Sequence, residues 1–214
     1  MPDHYLTLRQ PVSAEPPKSK GSRFIGLAAP ARSEAEALEV VASVRKAEHA
    51  ARHWCWAYRL GADGSNWRAN DDGEPNGTGG RPILQEIEGR DLTDVVVVVT
   101  RYYGGTKLGA GGLARAYGEA AALALDTARE TGLVRRVTVR QPVTLHFAFS
   151  DTSAAMRTVQ DFDAEIQDQT YSPDGAALVL AVRQSQVDGL AAQFVEATAG
   201  RGRVERERSA PVSP

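Results

Sequence analysis

Five consecutive valines, Val95 to Val99, stand between Asp94 and Thr100. Successive side chains of a strand point to opposite faces, so an unbroken apolar run demands cover on both sides. That requirement places one fully buried strand at the centre of whatever this chain builds.

The segments around it supply cover. Ser22 to Ala28 reads as a first strand. Ser33 precedes a run with apolar positions at helical spacing, and Glu36 three residues on completes a capping-box signature. His53 to Leu60 is aromatic and alternates, as a second strand would. Gly61 to Gly80, rich in Gly, Asp, Asn and Pro, is expected to be one long loop. A short helix is expected near Pro82 to Ile87, an Ala-rich helix over Leu113 to Thr131, and a strand over Val134 to Val139. Beyond Gln141-Pro142 the pattern changes to strand, helix, two strands around the turn residues Ser172 to Gly175, helix, and a last edge strand at Arg203 to Glu207. That βαββαβ order is ferredoxin-like. The fold class is therefore α+β, with expected divisions at 1–20 (an extended leader rich in Pro, Ser and Lys), 21–141, 142–208 and a tail at 209–214.

Composition narrows the setting. With 42% apolar and 24% charged residues the chain is ordinary globular material. One cysteine, Cys55, excludes an internal disulfide and a thiolate zinc cage and suits a reducing compartment. Without a bilayer-length apolar run or an apolar stretch near the start, the expectation is cytoplasmic, with no membrane partner. Lys and Arg outnumber Asp and Glu by 19 to 17 up to Gln141, and are outnumbered by 6 to 10 beyond it. Any anion site must be local.

Two blocks carry more glycine and polar residues than packing requires. One runs Asp71-Asp72-Gly73-Glu74-Pro75-Asn76-Gly77-Thr78-Gly79-Gly80-Arg81-Pro82. The other leaves the valine strand as Arg101-Tyr102-Tyr103-Gly104-Gly105-Thr106-Lys107-Leu108-Gly109-Ala110-Gly111-Gly112 and enters a helix that carries Arg115 and Tyr117. Backbone amides at such a helix start lack acceptors and glycine admits an anion close to them. Arg101, Lys107 and Arg115 add charge, Thr106 a hydroxyl, and Tyr102, Tyr103 and Tyr117 faces on which bases could stack. The alternative is a tight strand-to-helix connection whose basic side chains are solvated or paired with Asp71, Asp72 and Glu74. The P-loop pattern fails, because Ala110 and Gly111 stand where its lysine and hydroxyl would. Gly109-x-Gly111-x-x-Ala114 is a poor dinucleotide fingerprint that begins too far past the strand.

The acidic trio could hold a cation or move protons. Capping the loop and pairing with Arg81, Arg101 or Arg115 is the plainer reading. His53 and Cys55 lie two apart on a strand and point in parallel, which does not make a nucleophile–base pair. Cys55 reads as a small buried hydrophobe. His4, His49 and His146 are scattered, so neither metal nor cofactor is expected.

The two blocks, written DDGEP-x-GT-x-G-x-P and VVVVVTRYYGGTKLGAGGL-x-RAY, resemble the Impact family in its bacterial YigZ-like branch. KSKGSRFIG at 18–26 and H-x-C-x-AY from His53 to Tyr58 support the likeness, which covers nearly the whole chain. It implies an N-terminal domain similar to the second domain of a small-subunit ribosomal protein and a C-terminal domain similar to the last domain of elongation factor G. Eukaryotic relatives act in translational control by binding a regulator of a stress-responsive kinase; their partner network, which goes with an extra N-terminal interaction module, is not expected to carry over. For bacterial relatives the resemblance points to nucleic-acid or ribosome binding.

The expected function is thus non-enzymatic binding of RNA or the ribosome, with phosphate held at Arg101, Tyr102, Tyr103, Gly104, Gly105, Thr106, Lys107, Gly109, Gly111, Gly112 and Arg115. The alternatives are an enzyme on a phosphorylated small molecule, using Asp72 or Glu74 as acid and base, and a protein-interaction module working through the C-terminal domain.

Overall fold

The computed structural model describes residues 3–206. These divide into two compact units, one of residues 4–137 and one of residue 3 with residues 138–206.

In the first unit the strands are β1 (His4–Leu8), β2 (Val12–Ala14), β3 (Arg23–Pro30), β4 (His53–Leu60), β5 (Asn66–Asn70), β6 (Val95–Tyr102) and β7 (Val134–Thr138). The helices are α1 (Glu34–Ala47), α2 (Gly80–Gly89) and α3 (Ala110–Glu130). A five-stranded sheet runs β2-β3-β6-β4-β5, every neighbouring pair antiparallel. β1 and β7 form a separate two-stranded sheet.

The valine strand lies at the middle of the large sheet, and all five valines have no exposed surface. Val95, Val97 and Val99 join the cluster of Ile83 and Ile87 from α2 and Leu113, Tyr117 and Leu125 from α3. Val96 and Val98 join Ala37, Val41 and Val44 of α1 on the other face. Full burial of one such side chain is worth about 1.5–3 kcal/mol, so this strand anchors both layers. Ser33 caps α1, its hydroxyl accepting the Glu36 amide at 3.2 Å. The Glu36 carboxylate reaches back to the amide of Arg32, one residue earlier than a reciprocal capping box would have it.

Three expectations change. Residues 4–8 and 12–14 are strands rather than a loose leader; Leu8 is fully buried in the core and Arg9 is bonded to Leu133 O. The stretch from Gly61 to Gly80 is interrupted by β5, whose sequence NWRAN has almost no apolar alternation to betray it. The units divide at 137/138, a few residues before Gln141-Pro142. Pro142 reads as a break, yet it sits within a strand opposite Ala181.

The second unit holds β8 (Arg140–Phe147), α4 (Thr152–Asp161), β9 (Glu165–Ser172), β10 (Gly175–Arg183), α5 (Val187–Ala197) and β11 (Arg203–Arg206). Its sheet order, β11-β8-β10-β9, is ferredoxin-like. Val143, Leu145, Leu178 and Leu180 pack with Val159 of α4 and Phe194 of α5. The tail expected at 209–214, like residues 207 and 208, lies outside the described residues. No helix among the described residues is long and apolar enough to cross a membrane.

Candidate anion-binding pocket

β4 and β6 pair so that His53 stands opposite Arg101 and Cys55 opposite Val99. Both members of the first pair therefore lie on the α2/α3 face, at the end of the strand where the glycine loop begins.

The acidic loop brings Glu74 to them. Its organiser is Asp71, whose carboxylate accepts the amides of Gly77, Gly79 and Gly80 at 2.9, 2.8 and 2.9 Å and so fixes the entry to α2. Gly79 is required by space, since a Cβ there would lie 2.5 Å from Cys55 Sγ. Asp72 accepts the Trp54 amide at 2.8 Å and forms an ion pair with Arg45. Its carbonyl oxygen lies 2.9 Å from His53 Nδ1. A carbonyl only accepts, so Nδ1 carries the proton and Nε2 is the nitrogen left toward Glu74, 3.9 Å away.

Glu74 Oε1 accepts from Arg101 and, at 2.8 Å, from the Tyr117 hydroxyl. The Glu74 and Arg101 side chains are 5% and 7% exposed. Burial pushes the Tyr117 hydroxyl far above its ordinary range, with Cys55 and Glu74 beside it adding to the effect. Burial likewise pushes the Cys55 thiol up. Arg101 Nε is buried without a hydrogen-bond partner among the described residues.

Over this network opens a pocket of about 480 Å³. Arg52, His53, Glu74, Pro75, Arg101, Tyr103, Lys107 and Leu108 line it, closed on one side by Gly109, Ala110 and Leu113 at the start of α3. The Arg52 and Arg101 guanidinium groups lie 5.7 and 5.6 Å from the Tyr103 ring centre. No side chain caps α3, whose N-cap Gly109 has φ +73°. Leu113 is the first amide to bond back, to Gly109 O, which leaves the amides of residues 110–112 without intrahelical acceptors. Arg52 and Lys107 form no ion pair among the described residues, whereas Arg101 is neutralised by Glu74. The pocket therefore offers two cations without ion-pair partners among the described residues, a helix start and an aromatic face.

Of the expected site, Arg101, Tyr103, Lys107 and Gly109 come together here with Glu74. Tyr102 does not: it faces the other side of the sheet, its hydroxyl bonded to Glu48 and its ring under Arg23. Gly104 is pressed against Gly21, where a Cβ would come within 1.9 Å of the neighbouring backbone. Gly105 and Thr106 form the exposed tip of the loop. Gly112 and Arg115 lie around the helix, lining a separate cavity of about 210 Å³ with Ser19, Lys20, Leu108, Ala116 and Glu119. Of the three expected partners of the acidic loop, Arg101 pairs with Glu74; Arg81 and Arg115 form no ion pair with it among the described residues, and Arg45 takes Asp72 instead. Arg52 and His53 also wall the pocket, though no motif in the sequence marks them for it. The signal was the register of HWCWAYRL on VVVVVTR, which only the strand pairing reveals. Among the described residues no three His, Cys, Asp or Glu side chains gather as metal ligands.

Residues 20–125 match the model of the Impact N-terminal domain. An IMPACT family member of Haemophilus influenzae is 30% identical over 184 residues, covering 85% of this chain and 87% of that one. IMPACT family member YigZ of Escherichia coli is 43% identical over 119 residues, 53% of this chain and 58% of its own. The chain belongs to the IMPACT family. A crystal structure of a protein described as hypothetical superposes with a TM-score of 0.68 at 30% identity, over 98% of this chain and all of that one, and supports the same two-domain α+β fold. With other curated relatives the shared stretch spans 54% and 63% of the relative's length.

Proposed function

We propose that the protein is a non-enzymatic binding protein linked to translation control, and that it takes phosphate groups of RNA, free or in the ribosome, at the pocket between β4, β6 and α3. The observation that carries this reading is the convergence of Lys107 and Arg52, without ion-pair partners among the described residues, with the start of α3 and the Tyr103 ring around one cavity. Cations and helix amides favour a phosphate, and an exposed aromatic favours a base. The volume falls in the ordinary range for a small-ligand pocket. Family resemblance supplies the link to translation.

Binding of the purified protein to ribosomes and to short RNAs, at low and physiological salt, tests it. Lys107→Ala and Arg52→Ala should each lower affinity and flatten its salt dependence. Unchanged affinity in both variants would sink the reading.

One observation favours a second reading, an enzyme on a phosphorylated small molecule. His53 has its Nδ1 fixed by a backbone carbonyl and its Nε2 beside Glu74 in the pocket, as a general base would. Weighing against it, the Glu74 carboxylate is held by Arg101 and Tyr117, and the Cys55 thiol is fully buried. A thermal-shift screen of phosphorylated metabolites decides: stabilisation by one compound class would favour the enzyme, and none at millimolar levels would leave it unsupported.

A further inference from the structure

Four cations without ion-pair partners among the described residues surround the first turn of α3, and they fall on two sides of it. Arg52 and Lys107 line the larger pocket; Lys20 and Arg115 line the smaller cavity. Leu108 is a wall of both, and the helix start separates them. A helix is about 10–12 Å across including side chains, so its two sides call for separate phosphates of one strand rather than a single phosphate.

Two residues between and beside these cavities defy local preference. Gly111 lies inside α3 with φ outside the left-handed region, and a Cβ there would meet nothing within 4 Å. Alanine would fit and would make the better helix, so the fold does not call for glycine here. Its effect is to leave the crest between the cavities bare. Lys20 and Gly21 form the tip of a hairpin closed by reciprocal Ser19–Ser22 bonds, both with positive φ, +44° and +81°. A turn of that shape ordinarily takes Asn, Asp or Gly first. Lysine held there is a cation fixed at the rim of the smaller cavity. Departures from local rules of this kind concentrate at functional sites.

Resting on the pocket reading above, we infer that the ligand is a single-stranded RNA segment that crosses the first turn of α3, one phosphate beside Lys107 and Arg52 and a later one beside Lys20 and Arg115. The bare crest at Gly111 lets the backbone pass, and Tyr103 takes a base at the pocket end. A charged track with an aromatic platform is how sequence-tolerant single-strand binding works.

The test uses the full chain with two probes, uridine 5′-monophosphate and a labelled oligo-uridylate octamer. Lys107→Ala should weaken both. Lys20→Ala and Arg115→Ala should weaken only the octamer, each flattening its log K against log salt slope by about 0.7. Gly111→Ala should weaken the octamer while Tm is unchanged or raised, which separates lost binding from lost folding. If Lys20→Ala and Arg115→Ala leave octamer affinity and salt slope unchanged while Lys107→Ala lowers it, the crossing path is wrong and the pocket stands. If the unaltered protein binds neither probe, the pocket reading itself falls and takes the path with it.

Discussion

Glu74 and Arg101 form an ion pair almost wholly withdrawn from water at the floor of the pocket, with Tyr117 as a second donor to the same carboxylate oxygen. Removing one partner leaves the other charged in an apolar wall. Glu74→Ala should therefore destabilise the protein by about 3–5 kcal/mol. The double variant Glu74→Gln with Arg101→Met should be more stable than Glu74→Ala, because no bare charge remains. Urea unfolding of the three proteins measures this; equal stability of Glu74→Ala and the parent would show that the pair is not as isolated as its burial implies.

Adjacent tyrosines should behave differently. Tyr103 is 41% exposed and lies beside two guanidinium groups at the pocket, so Tyr103→Ala should cost about 1–3 kcal/mol of RNA affinity, the worth of one stacked base. Tyr102 lies on the opposite face, bonded to Glu48. Tyr102→Phe should leave affinity unchanged and lower stability by about 1 kcal/mol. Equal loss of binding in both would mean that the ligand does not enter through the pocket.

Cys55 should be silent until the protein unfolds. Its side chain has no exposed surface, and burial raises the thiol well above its usual range. Since the thiolate is the reacting species, a thiol reagent at about pH 8 should label the folded protein slowly and the urea-unfolded protein at once. Fast labelling without denaturant would place the sulfur in contact with solvent.

Alkaline stability should report on Tyr5. Its hydroxyl donates to Asp94 Oδ2 at 2.6 Å, and burial together with that bond pushes its pKa up to about 12. The unfolded value is about 10. The folded state thus holds the proton more tightly: the contribution is complete below about pH 10 and lost as pH rises through about 12. Tyr58 and Tyr102 are shifted in the same direction, so Tyr5→Phe should reduce the alkaline fall in the urea midpoint without abolishing it. An identical pH profile in parent and variant would exclude Tyr5 as a contributor.

Much of this architecture was legible. Val95 to Val99 announced a strand covered twice, and the structure splits those valines between α1 and the α2/α3 layer. Ser33 and Glu36 marked the start of α1. Alternation in β8 and the turn before Gly175 gave the ferredoxin-like half its order. What escaped has a physical cause. β5 is a polar strand read as loop because its apolar alternation is missing. β1 and the residue that follows it are held by contacts with residues some ninety to one hundred and thirty positions away, Thr93 bonding to Leu6 and Leu133 to Arg9, which no local pattern can carry. The pocket was half visible: Arg101, Lys107 and Gly109 announced themselves through glycine density, whereas Arg52 and His53 belong to it only through the pairing of β4 with β6. Arg115 shared the motif and lies across the helix, because positions six apart on a helix do not share a face.

The pairing of β1 with β7 bears on how the chain is made. Synthesis delivers the N-terminus first, so the strand at His4–Leu8 leaves the ribosome long before its partner at Val134–Thr138 exists. The five-stranded sheet needs nothing beyond Tyr102 for its strands. A nascent chain halted before residue 134 would therefore hold the large sheet and lack the small one, and the strand at His4–Leu8 would be among the last segments to find its place.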